Sequence, residues 1–158
     1  MTGISLGVDI VEVRRVARLV KNARFVERVF SEREVAYCRD KKNAAQHFAV
    51  RFAAKEAVYK ALGQPGVAHK EISVKNDPSG KPRVELAPRL KRYEPQLSLT
   101  LSHTADYAVA VALFQRERGR PARIPLNEKP MRASRSHAAF LSSAGGRPRS
   151  TSTAQRKV

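Results

Sequence analysis

The sequence predicts an α+β domain with one long helix packed on a mostly antiparallel sheet, and three observations lead there. Residues 44–62 form an alanine-rich stretch without Gly or Pro, followed by Gly63, a natural left-handed stop for a helix. Two short β-rich runs flank Asp77-Pro78-Ser79-Gly80, which has the residues that a type I turn favours at its first, second and fourth positions. Two more runs, LSLTLSHT and YAVAVALF, are separated only by Ala105-Asp106 and read as an antiparallel pair. A helix that buries one side against such strands is the α+β solution to covering a sheet.

The elements follow in chain order. ISLGVDIVEV (Ile4–Val13) is β-rich and reads as the first strand. Val16, Leu19, Val20, Phe25, Val26 and Val29 recur at roughly helical spacing, with a break near Lys21–Arg24. Ser31 with Glu34 is a capping box, so a short helix runs on through Tyr37. The long helix covers Ala44–Leu62. ISVKN (Ile72–Asn76) and PRVEL (Pro82–Leu86) are the arms of the hairpin, and Pro88–Tyr93 is a helical turn. Leu97–Thr104 alternates with period two, and Tyr107–Phe114 reads as a buried strand.

Composition sets limits on function. The 158 residues suit one domain with a tail. The formal charge of +17 calls for polyanionic partners without saying which. From residue 117 onward the net charge is +8 and the composition turns to Arg, Ser, Ala, Gly and Pro with no sustained apolar period. Such a segment buries too little to offset its ordering entropy, so residues 117–158 are expected to be a disordered basic tail on a domain of residues 1–116. A single cysteine, Cys38, excludes an internal disulfide framework and fits a reducing compartment. Nothing around Cys38 marks it as a nucleophile. No run approaches the ~20 apolar residues of a membrane span, and Asp9 and Glu12 interrupt the first apolar run, so a secretory signal is not expected. The expected location is the cytoplasm. The charge also fits a nucleic-acid binder, but the core lacks the interleaved aromatic and basic residues of a stacking surface, so no specific nucleic acid is expected.

Two carboxylates stand in unusual places. Projected at about 100° per residue, Ala45, Phe48, Ala49, Phe52, Ala53, Glu56, Tyr59 and Lys60 share one sector of the long helix. A charge inside a packing face needs a partner or a metal, and a Glu56–Lys60 pair one turn apart is the simpler alternative. Asp9 lies between Val8 and Ile10 in a strand, on the side of Gly7 and Val11. Aspartate is a poor strand-interior residue, so Asp9 is either an exposed edge carboxylate or half of a hard-cation site. His103, in Ser102-His103-Thr104, ends a strand beside a tight turn, where scaffolds present chemistry. Adjacent strand residues face opposite ways, so Ser102 and His103 do not make a hydrolytic triad.

The segments GVDIVEV, FAVRFAAKEAVYKALG, SGKPRV and LSLTLSHTADYAVAVAL, in that order, resemble the holo-acyl-carrier-protein synthases over about residues 3–116. The resemblance implies the 4′-phosphopantetheinyl transferase fold. It implies transfer of 4′-phosphopantetheine from coenzyme A to a serine of an apo-acyl-carrier protein, in support of fatty acid biosynthesis. Asp9 and Glu56 match the residues that hold Mg²⁺, and Lys60 the lysine near the phosphates. Ser102-His103-Thr104 matches the motif beside coenzyme A, and Gly80-Lys81-Pro82 a hairpin segment near the adenine. Arg15 and Arg51 match basic positions that meet the acidic carrier. The resemblance also implies a homotrimer with sites between subunits. It leaves the general base open between Glu56 and His103. Gln64-Pro65-Gly66-Val67 departs from the usual glycine-rich loop after the helix, and the basic tail is not part of the pattern.

Overall fold

The computed structural model describes residues 3–116. Five strands and four α-helices follow one another: β1 (Gly3–Glu12), α1 (Val13–Leu19), α2 (Ala23–Val29), α3 (Glu32–Arg39), α4 (Ala44–Leu62), β2 (Ile72–Asn76), β3 (Pro82–Leu86), β4 (Leu97–His103) and β5 (Tyr107–Arg116). Short 3₁₀ segments occupy His69–Glu71 and Pro88–Gln96. The strands form an antiparallel sheet of order β1-β5-β4 and a separate β2-β3 hairpin. The expected α+β class is therefore observed. The expectation for residues 117–158 lies outside the described residues.

Local chemistry explains the boundaries. α1 and α2 part at Val20–Asn22, where the Asn22 side chain accepts from the Phe25 N–H. The Ser31 Oγ accepts from the Glu34 N–H at 3.4 Å while the Glu34 carboxylate accepts from the Ser31 N–H at 2.9 Å, the expected capping box. α4 ends where Gly63 takes the left-handed conformation, φ 59°. In the hairpin turn the Gly80 N–H donates to the Asp77 carbonyl at 2.9 Å.

α4 lies on the sheet along a seam of small residues. A Cβ on Gly7 would stand 1.9 Å from the Ala57 carbonyl oxygen and 2.6 Å from the Ala61 nitrogen, so only glycine permits this approach. The sheet residues registered beside it are also small: Gly7 pairs with Ala112, Asp9 with Ala110 and Val11 with Ala108. Ala108, Ala110, Ala112 and Phe114 are buried beneath the helix layer.

Three expectations are corrected. Val13 begins α1 rather than ending β1; its N–H donates to the Asp106 carbonyl at 2.8 Å as the chain leaves the sheet. β5 is buried on one face only: its alanines are covered, while Val109, Val111 and Leu113 are half-buried on the other face. α4 has no single packing sector, because residues Phe48–Val58 are buried all round, Arg51 and Lys55 among them. The sheet, α1, α3 and β2 all pack against this one helix.

Candidate active site

β1 sets Asp9 on the covered face of the sheet, against α4. Its side chain is 16% exposed, and its Oδ1 accepts from the Lys60 Nζ at 2.8 Å. The same ammonium donates to the Val8 carbonyl at 2.8 Å. Asp9 is therefore not an exposed edge carboxylate. Glu56 stands one helical turn before Lys60, and neighbours at that spacing lie about 5–6 Å apart between Cβ atoms. Lys60 thus meets Asp9 across the contact between β1 and α4, and Glu56 lies one turn away on the same helix.

Glu56 is buried, and its Oε1 lies 2.7 Å from the His69 Nε2. The His69 ring stacks on Phe52, with centroids 6.0 Å apart and planes 4° from parallel, and also lies against Tyr59 at 6.1 Å. Phe52, Glu56 and Tyr59 recur at helical spacing, so one stripe of α4 carries the carboxylate and both rings. Sequence reasoning missed His69. It lies in a short 3₁₀ segment after an irregular loop, where no periodicity connects it to Glu56.

Beneath this stripe is a buried ion pair, also missed. The Lys55 Nζ and the Glu34 Oε2 are 2.7 Å apart, with side chains 0% and 2% exposed. Lys55 also donates to the carbonyls of His69, at 3.2 Å, and Ile72. Glu34 accepts from the Val74 N–H at 2.9 Å. Four elements meet at this pair. Burial, the largest influence, pulls the Lys55 pKa below its ordinary value, and the Glu34 carboxylate opposes that shift.

The S-H-T residues lie elsewhere in the chain. His103 is in register with Ala108 and, through it, with Val11, but on β4 it is two strands from β1, about 10 Å across the sheet. Ser102 registers with Val109 on the opposite face, as the alternation required. All three residues are exposed. The Thr104 carbonyl accepts from the Gln46 side chain at 3.2 Å, tying this turn to the start of α4. The surroundings are cationic: burial, then Arg51, His103 and Lys41 in turn, hold the His47 pKa below its ordinary value.

Gly80, Lys81 and Pro82 sit at the exposed end of the β2-β3 hairpin. Asp77 shapes that end, accepting from the N–H groups of Ser79 and Lys81 at 2.9 and 3.0 Å. Hydrogen bonds, from the Ser79 hydroxyl foremost, lower its pKa to about 2. In the loop after α4, Arg89 donates to the Gly66 carbonyl and to Glu71, fixing the Gln64-Pro65-Gly66-Val67 segment from the side.

Arg15 is half-buried on α1, next to the exposed Arg14 and Arg18. Arg51 lies deeper. It is 4% exposed, with its guanidinium 4.0 Å from the centre of the Tyr37 ring. Within this chain it packs the helical layer.

The donor set has a definite character. No cluster of three or more His, Cys, Asp or Glu residues suited to a metal occurs among the described residues. Two carboxylates carried by adjoining elements suit a hard cation completed by phosphate oxygens and water.

Known proteins resemble this chain in sequence and in fold. A family model described as the 4′-phosphopantetheinyl transferase superfamily matches residues 5–112. A holo-[acyl-carrier-protein] synthase of Protochlamydia amoebophila is 40% identical over 118 residues, spanning 70% of this chain and 97% of the relative. One of Clostridium acetobutylicum is 42% identical over 120 residues, spanning 70% and 95%. Among solved structures, the Bacillus anthracis holo-(acyl-carrier-protein) synthase in complex with CoA (3′,5′-ADP) superposes with a TM-score of 0.63 at 29% identity, over 74% of this chain and 100% of that one. The Helicobacter pylori enzyme in complex with coenzyme A gives 0.59 at 34% identity, over 68% and 96%. Likeness of this extent, in sequence as well as in fold, is likeness by descent, and the chain belongs to the 4′-phosphopantetheinyl transferase superfamily, among its holo-[acyl-carrier-protein] synthases.

Proposed function

We propose that this chain transfers 4′-phosphopantetheine from coenzyme A to a serine of an apo-acyl-carrier protein, releasing adenosine 3′,5′-bisphosphate. The observation that carries the reading is the contact of Lys60 with Asp9 between α4 and β1, with Glu56 one turn away on α4, in a chain of this family. The activity is assigned to residues 1–116, in the cytoplasm, where the holo-carrier serves fatty acid biosynthesis.

The serine oxygen forms a bond to the phosphorus that bears the pantetheine arm. The bond from that phosphorus to the bridging oxygen breaks, and the nucleotide leaves. No nucleophile is needed on this chain, so its work is positioning and charge stabilisation. Asp9 and Glu56 would hold Mg²⁺, which when bound supplies charge neutralisation at the phosphates. Lys60 adds a point charge at the same phosphates. Glu56 takes the serine proton, and His103 meets the nucleotide within its cationic surroundings. Gly80, Lys81 and Pro82 flank the adenine. Arg14, Arg15 and Arg18 on α1 form a basic face for the acidic carrier, which speeds encounter and makes it salt-sensitive.

The assembly is a homotrimer. Ile4, Leu6, Val8 and Ile10 are 53–64% exposed along one face of β1, with Val109, Val111 and Leu113 beside them. An apolar face of this extent is an interaction surface, and other copies of the chain cover it. A shared site also resolves the separation of His103 from Asp9 within one chain.

The test is release of adenosine 3′,5′-bisphosphate from coenzyme A and apo-carrier. The reading expects release to stop with chelator and to return with Mg²⁺ or Mn²⁺, and to fall sharply in Glu56→Gln. Near-normal turnover of that variant contradicts the role given to Glu56.

A further inference from the structure

We propose that His69 is a positioning residue, one that fixes the orientation of the Glu56 carboxylate for the cation; this rests on the reading of Glu56 as a metal ligand. Glu56 is a flexible side chain, and its side chain is only 6% exposed. A carboxylate that binds a cation loses rotamer freedom, and a preset orientation removes that cost beforehand. The His69 Nε2, 2.7 Å from Oε1, supplies the preset.

His69 is itself held on three sides. Phe52 stacks on its ring with planes 4° apart, and Tyr59 lies against it with planes 20° apart. Its carbonyl accepts from the Lys55 Nζ at 3.2 Å, and that ammonium is locked to Glu34 at 2.7 Å. The buried Glu34–Lys55 pair thus anchors the backbone that carries the ring, and the ring anchors the carboxylate. Lys55 and Glu56 are consecutive on α4, so support and ligand belong to one rigid element. Removing an outer partner of a ligating carboxylate typically costs about 10–100-fold in metal affinity or activity.

The test compares two substitutions of equal length in the full chain. Gln and Met reach equally far, but only Gln carries an N–H to donate to Glu56. Three quantities are read: Mn²⁺ binding by electron paramagnetic resonance with adenosine 3′,5′-bisphosphate present, the Mg²⁺ concentration for half-maximal turnover, and the melting temperature. In His69→Met, Mn²⁺ affinity is expected to fall and the half-maximal Mg²⁺ concentration to rise, each about tenfold or more. His69→Gln is expected to recover most of both at the same melting temperature. If the two variants bind Mn²⁺ equally, the inference is overturned: at wild-type affinity His69 is dispensable, and at lowered affinity packing rather than the hydrogen bond is what counts. Glu56→Gln is measured alongside. Should it bind Mn²⁺ like the wild type, the reading of Glu56 as a ligand fails, and the inference with it. Should it lose Mn²⁺ while the Met and Gln variants match each other, the inference alone fails.

Discussion

Lys60 holds Asp9 at 2.8 Å, and the same ammonium holds the backbone of β1 through the Val8 carbonyl. The lysine therefore fixes the strand and its carboxylate to α4 together. The Lys60 side chain is 47% exposed, so the ion pair adds at most about 1 kcal/mol to folding. Lys60→Met should melt close to the wild type while turnover falls by at least about tenfold, a loss near 1.4 kcal/mol in the barrier. Thermal melting beside steady-state rates separates the two effects; a large drop in melting temperature would make Lys60 a folding residue first.

The seam beneath that contact has no tolerance for a methyl group. In Gly7→Ala the new Cβ would lie 1.9 Å from the Ala57 carbonyl oxygen, and both neighbours are backbone. Overpacking of this kind costs about 1–3 kcal/mol, occasionally more. The variant should lose about 3 kcal/mol in urea unfolding, and its activity should drop because β1 carries Asp9. Unchanged stability would show that α4 does not approach the sheet this closely.

The Glu34–Lys55 pair should respond asymmetrically. Lys55→Met leaves a buried carboxylate, and removing one partner of such a pair costs about 3–5 kcal/mol. Adding Glu34→Gln to it should recover part of the loss, since Gln can still accept from the Val74 N–H. A double variant no more stable than Lys55→Met would mean that the two charges do not depend on each other.

Cys38 gives the fold a dependence on alkali. Burial, the largest cause, raises its pKa from 9.0 to about 11. The folded state therefore holds the thiol proton where the unfolded chain releases it. The resulting stability is fully present below pH 9 and is lost as pH rises toward 11, a loss of about 2 kcal/mol for one such group. Lys55, its pKa lowered, acts in the opposite sense over the alkaline range, so the contribution of Cys38 is isolated by comparison with Cys38→Ala. Denaturation at pH 8 and at pH 11 should show a smaller alkaline loss in the variant. Equal losses would remove Cys38 as the cause.

Much of this structure was legible in the chain, for local reasons. α4 and both hairpin strands fall on the expected residues because Gly63 and the Asp77–Gly80 turn punctuate them unambiguously. The end of β1 was not legible, because VEV continues the strand alternation while tertiary contacts turn Val13 into a helix. Hydrophobicity could not separate the two faces of YAVAVALF. Side-chain size does, since alanines face the close-packed helix and valines the open face. Asp9, Glu56 and Lys60 stood out as charges among apolar neighbours. His69 and the Glu34–Lys55 pair act across loops, where spacing carries no signal. Arg51 was assigned by resemblance alone, which could not show its burial against Tyr37.

Shared sites can be tested by mixing defects. An inactive chain carrying Asp9→Ala and another carrying His103→Ala should regain part of the activity when co-expressed, because one interface of a mixed trimer draws an intact residue from each. Verified mixed trimers that stay as inactive as either parent would place each site within one chain.

The central claim is transfer of the phosphopantetheine arm, and mass spectrometry of an apo-acyl-carrier protein tests it directly. After incubation with this chain, coenzyme A and Mg²⁺, the carrier should gain the mass of one phosphopantetheine on its serine. Omitting Mg²⁺, or using Glu56→Gln, should leave it largely unmodified. A carrier of unchanged mass under the complete conditions, with a folded protein and a carrier that a known transferase can modify, would contradict the account.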